Sequence, residues 1–179
     1  MAFQTRRVVV SNDATGKSTV VSDEVLYGET ASTGDSRCEI WVTDRMPVDN
    51  TASTLAEQQQ GVVDHFDNLY VNNGQGTAFR VMAFAPNEPA VFHRTQSVDY
   101  DVVLSGEFDL HLDDDETVRL RTGDSIVVRG VYHGWSNPGK EPAVIAFIMI
   151  DADPVAVDGK ALGEHYPGGQ NPFVATADA

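Results

Sequence analysis

The chain has 179 residues, 41% of them apolar and 22% charged, proportions usual for a soluble globular protein and a length that fits one domain. Its 27 acidic against 12 basic residues give a formal net charge of −15. That speaks against duplex DNA, RNA or an anionic membrane as partner, because a phosphate surface repels such a face. A single cysteine, Cys38, excludes an internal disulfide framework and a Cys-rich zinc module. The longest apolar run, Ala143 to Ile150, falls far short of the ~20 residues of a spanning helix. The N-terminal MAFQTRRVVV lacks the pattern of a secretory leader. The expectation is a cytoplasmic protein with no membrane partner.

Taken in chain order, nearly every local signal is a strand signal. Arg7 to Ser11 and Ser18 to Ser22 are β-branched runs joined by the turn-rich stretch Asn12 to Lys17. Glu39 to Thr43 is a third short strand, and Thr54 to Gln60 has the composition of a short helix. Thr77 to Ala85 follows the turn residues Asn72 to Gly76 and stops at Pro86. Val102 to Leu104, Glu107 to Leu112, Thr117 to Leu120, Ser125 to Val128 and Ala143 to Ile150 come next, punctuated by Gly, Asp and Pro. In Glu107 to Leu112 the residues Phe108, Leu110 and Leu112 point one way while Glu107, Asp109 and His111 point the other, so His111 faces outward. Ala143 to Ile150 is apolar on both faces, as expected of a strand covered on each side. Many short strands at regular spacing predict an all-β sandwich or barrel. The tail after Asp153 has no periodicity, and its last residues are expected to be mobile.

One apparent motif dissolves on inspection. Gly16-Lys17-Ser18 carries the end of a phosphate-binding P-loop, but the required earlier glycine is Ser11 and the residues that follow favour strand over helix. A turn between two strands is expected there.

The chemistry concentrates in two segments. The first holds His93, Thr95, Asp99 and Gly106; the second holds Gly123, His133 and Asn137. Their spacing resembles the two motifs of the cupin superfamily: His-x-His, three or four residues, Glu, six residues, Gly, and then Gly, about ten residues, His, three residues, Asn. The resemblance covers roughly Phe79 to Asp151. It implies a single-domain all-β cupin β-barrel or jelly roll, with an N-terminal strand extension at 1–70, the barrel core at 71–155 and a tail at 156–179. It also implies a homodimer. This chain departs from the family at two ligand positions, where Thr95 replaces the second histidine and Asp99 shortens the glutamate.

His93, Asp99 and His133 remain as two imidazoles and one carboxylate. That set suits one divalent metal ion, Fe, Zn, Mn or Ni, and equally a metal-free pocket in which Asp99 and His133 work as an acid/base pair. A purely structural set of satisfied polar groups is the third alternative. Thr95 shares the parity of His93 and is expected to line the same cavity. Tyr100 and Tyr132 flank the histidines and Asp99; parity turns them away unless a bulge turns either inward. Trp135 either walls the pocket or is a core residue. Arg80, mid-strand, either faces solvent or reaches a substrate anion or Asp99. Arg94 and Arg129 are surface candidates, His65 and His165 are expected to be solvated, and Cys38 to be a small buried hydrophobe.

The expected partner is a small, partly apolar or aromatic molecule. The leading expectation is lyase or isomerase chemistry: dehydration, decarboxylation, isomerisation or cyclisation. The alternatives are an Fe(II)-dependent dioxygenase using His93, Asp99 and His133, and a metabolite-binding module without catalysis.

Overall fold

A computed structural model describes residues 3–31, 34–51 and 76–165. The helix expected at Thr54 to Gln60, His65 and the end of the tail lie outside the described residues. The regular structure of the described residues is one 3-10 turn at Asp113–Asp115 and the strands β1 (Gln4–Asn12), β2 (Ser18–Tyr27), β3 (Glu29–Thr30), β4 (Ser36–Thr43), β5 (Thr77–Phe84), β6 (Ser97–Ser105), β7 (Glu107–His111), β8 (Thr117–Arg121), β9 (Ser125–Arg129), β10 (Gly134–Ser136), β11 (Ala143–Asp151), β12 (Ala156–Val157) and β13 (Lys160–Ala161). Among these residues no helix is long and apolar enough to cross a membrane.

Two sheets make the barrel. One has six strands in the order β3-β4-β5-β11-β6-β9, and the other has three in the order β10-β7-β8. The pairings within them are antiparallel. β4, from the N-terminal part of the chain, is a full member of the larger sheet through its ladder with β5. β11 sits between β5 and β6, which accounts for a strand that is apolar on both faces.

The two sheets close on an aromatic seam. Phe84 of the large sheet meets Phe108 of the small one edge-on at 5.3 Å, and Trp135 meets Phe147 at 5.7 Å. Val103, Ile145, Met149, Leu110, Leu120 and Val128 fill the space around them. Burying such side chains stabilises the barrel by roughly 1.5–3 kcal/mol each. At the β6–β7 corner Gly106 holds φ at +77°, a conformation that costs other residues strain.

β1 and β2 form a long hairpin outside the barrel, tied to it where Arg7 Nη1 donates to the Ile40 carbonyl at 3.1 Å. Both strands run further than the β-branched runs alone suggest. Ion pairs from Arg6 to Asp23 and from Arg7 to Glu24 continue the ladder past the valines. The turn between them is the expected one. Asp13 Oδ1 accepts hydrogen bonds from the backbone amides of Thr15 and Lys17, and Gly16 sits at φ +81°. Cys38 is buried and free, as anticipated, with its thiol facing the Leu26 carbonyl.

Candidate functional site

His93 and His133 meet although forty residues separate them. The two form an isolated antiparallel bridge, each backbone amide donating to the other's carbonyl, at 2.8 and 3.0 Å. Residues directly opposite on antiparallel chains project to the same side. The imidazoles therefore lie side by side, tilted by 49° with ring centroids 4.7 Å apart. The bridge also orients their predecessors. Phe92 and Tyr132 pack on each other at 5.6 Å, and Tyr132 continues to the exposed His165 at 5.2 Å.

The protonation of the pair follows from its hydrogen bonds. Nδ1 of His93 lies 3.0 Å from the Val91 carbonyl and Nδ1 of His133 lies 2.9 Å from the Val131 carbonyl. A carbonyl only accepts, so Nδ1 carries the proton on each ring and Nε2 is the basic nitrogen. Burial lowers the pKa of His93. Burial, with the neighbouring His93, takes His133 down to about 4. Both rings are neutral at physiological pH, as bases and ligands must be.

The carboxyl side of the site is built on β6. Alternation turns Ser97, Asp99, Asp101 and Val103 inward while Tyr100 and Leu104 face out. Thr95, also buried, accepts a hydrogen bond from Ser97 Oγ at 2.8 Å. Asp99 is pushed up to about 6 by burial, against a hydrogen bond with Ser97 and the charge of Arg80. Asp101 is pushed up to about 8, by burial first and then by the charge of Asp99. Among the described residues, no three His, Cys, Asp or Glu side chains converge as a metal ion would require. The two imidazoles come together, whereas Asp99 interacts with Ser97 and Arg80. As disposed, the three residues do not fit a three-ligand metal site.

Arg80 departs from its solvent-facing alternative, while Tyr100 and Tyr132 take the outward side that parity gives them. Arg80 does not face solvent: it is 1% exposed, and its Nε donates to Glu39 Oε2 at 2.9 Å across β4 and β5. A charge in this interior needs a partner, and Glu39 supplies one. Glu39 itself is raised by burial, against Arg80 and Arg37. Tyr100 is 48% exposed on the outer face of β6, where parity turns it away from Asp99. Tyr132 belongs to the outward aromatic pair with Phe92, because the His93–His133 bridge turns each ring's predecessor to the opposite side. Trp135 is a buried core residue, and its ring meets that of His133 edge-on at 6.0 Å.

Sequence reasoning missed Glu39 and Asp101. Asp101 had a signal: it is two residues from Asp99 and so shares its face. Glu39 had none. A β-bulge between Glu39 and Trp41 breaks the parity of β4, and its partner lies 41 residues away. Asn137 is consumed by structure, its side-chain amide donating to the Phe84 and Glu141 carbonyls at 3.0 and 2.8 Å.

Comparison with known proteins follows the same outline. The family model described as "Cupin domain" matches residues 80–150. Phomopsin biosynthesis cluster protein C' of Diaporthe leptostromiformis is 32% identical over 164 residues, which cover 88% of this chain and 84% of that protein. The cupin-domain-containing oxidoreductase fogC of Aspergillus ruber is 29% identical over 164 residues, 87% of this chain and 77% of that protein. Among solved structures, an RmlC-like cupin from Shewanella frigidimarina aligns with a TM-score of 0.45 and 17% identity, covering 70% of this chain and 83% of that one.

Proposed function

The chain belongs to the cupin superfamily, and on that premise we propose that it is an enzyme moving a proton at a carbon atom of a small organic molecule held inside the barrel. Isomerisation, dehydration, decarboxylation and cyclisation share that step. The observation that carries the reading is the adjacent pair of buried, neutral imidazoles, His93 and His133. Nε2 of His133 removes a proton from a carbon made acidic by an adjacent carbonyl, and the resulting imidazolium returns it at a second position. An imidazolium buried here is costly, so the proton is not retained. Asp99, titrating near 6, is available in both forms around neutrality and serves as the acid/base partner on the β6 side. Thr95 and Ser97, linked by their own hydrogen bond, supply hydroxyls beside it.

The test uses deuterium. Wild-type protein is incubated in D2O with 1,3-dicarbonyl probes such as acetoacetate, and loss of the central C–H signal is followed by NMR. His133→Ala is expected to slow the catalysed exchange by about 10²-fold or more. Exchange that is as fast in His133→Ala as in the wild type overturns the assignment.

A second reading, oxidation of the same kind of molecule, is favoured by the name of the Aspergillus ruber relative. It would need a divalent ion, for which His93 and His133 offer Nε2 donors while Asp99, as disposed, is not a third ligand. Metal content of the purified protein, with oxygen consumption on addition of Fe(II), separates the two readings.

A further inference from the structure

Asp101 has no place in the chemistry above, and its position in the barrel is costly. It is 1% exposed. Its direct cross-strand neighbours are Phe147 on β11 and Ile126 on β9, neither of which has a side-chain hydrogen-bond donor. Both of its carboxyl oxygens are buried without a hydrogen-bond partner, and Oδ1 of Asp99 is in the same condition. Each such group costs roughly 1–3 kcal/mol. Folding gives no reason for it, since an aliphatic residue between Phe147 and Ile126 would pack there without penalty. Three unmet carboxyl oxygens on one inward strand face are therefore complementary to a molecule that brings its own hydrogen-bonding groups.

What lies between them and the histidines is aromatic. Phe147, directly opposite Asp101, packs against Trp135 at 5.7 Å, and Trp135 against His133 at 6.0 Å. A flat ring laid along these side chains presents one end to β6 and the other to the imidazoles.

We propose that Asp101 anchors the substrate: its carboxyl, together with Oδ1 of Asp99, accepts hydrogen bonds from an O–H or N–H group on a small aromatic or enolic molecule. This rests on reading the interior as a small-molecule site, and it names the class that the site selects. A ring without a donor leaves the carboxyl oxygens unmet, and sites built around buried polar groups reject such analogues strongly.

Phenol and toluene, which differ by O–H against CH3, are the probes. Thermal shift and calorimetric titration of the full-length protein are expected to give about tenfold tighter binding of phenol, the worth of one such hydrogen bond. Asp101→Val is expected to abolish that preference and to raise the melting temperature of the unliganded protein. Asp101→Asn, which keeps one acceptor, should retain part of the preference. Equal binding of the two probes by the wild type, or a preference that survives Asp101→Val, overturns the anchoring role and leaves the interior a small-molecule site. Failure of both probes to bind overturns the interior reading and the anchoring role together. A lowered melting temperature in both Asp101 variants assigns the carboxyl to folding and overturns the proposal.

Discussion

At the scale of single residues, the buried ionisable groups pull stability in opposite directions as pH changes. Asp99 and Asp101 have folded pKa values of about 6 and about 8 against an ordinary 3.8, so the folded chain holds protons that the unfolded chain has released. Stability therefore falls as pH rises from near 4 through about 8. His133 works the other way. Its folded pKa of about 4 lies below the ordinary 6.5, so the unfolded chain binds the extra proton and stability rises between those values. Above pH 6.5 most of the titration left among the three belongs to Asp101. Urea midpoints should drop between pH 6.5 and pH 8 in the wild type and stay level over that range in Asp101→Asn. A level wild-type profile would show that Asp101 is already ionised at pH 6.5. At this scale the two histidines could be read from spacing alone, because the motif fixes their distance from Gly106 and Gly123. Asp101 needed only the period of a strand, whereas the partner of Arg80 had no local trace.

The strand is the scale at which chemistry and stability meet. Glu39 on β4 and Arg80 on β5 have side chains only 1% exposed. Removing one partner, as in Glu39→Ala, strands a buried charge and should cost about 3–5 kcal/mol, while Glu39→Leu with Arg80→Met should recover most of that loss. Chemical denaturation of the four proteins as a double-mutant cycle checks this, and additive losses would contradict it. At the β6–β7 corner, a Cβ on Gly106 would stand 2.7 Å from that of Ala143 on top of the strained φ. Gly106→Ala is expected to destabilise by roughly 1–3 kcal/mol, read from its denaturation midpoint. Most of the strands were legible because apolar alternation and Gly, Asp and Pro breaks bound them closely. β6 was harder. Asp99 and Asp101 occupy its inward positions, so its first half lacks the apolar period and only Val102 to Leu104 looked like strand.

For the whole molecule, the hairpin and the barrel differ in how firmly they are held. β11 is bonded along both edges. β1 and β2 bond each other and leave Val8, Val10, Val20 and Val25 between 45% and 67% exposed. Amide hydrogen exchange should be slowest in β5, β6 and β11 and faster by orders of magnitude in β1 and β2. Equal protection would mean that the valine face is covered in solution. The general architecture was accessible from sequence because the two motifs and the strand spacing agree. The hairpin's length was not, since its outer half is held by Arg–carboxylate pairs instead of a buried apolar face.

The Glu39–Arg80 pair also bears on inheritance. The segment that the family model matches begins at residue 80, yet the carboxylate that Arg80 meets lies on β4, well upstream. A recombination event carrying residues 80–150 alone would deliver the arginine without its counter-charge into a new barrel. A unit transplanted from this chain without loss of stability should therefore include β4 as well as β5.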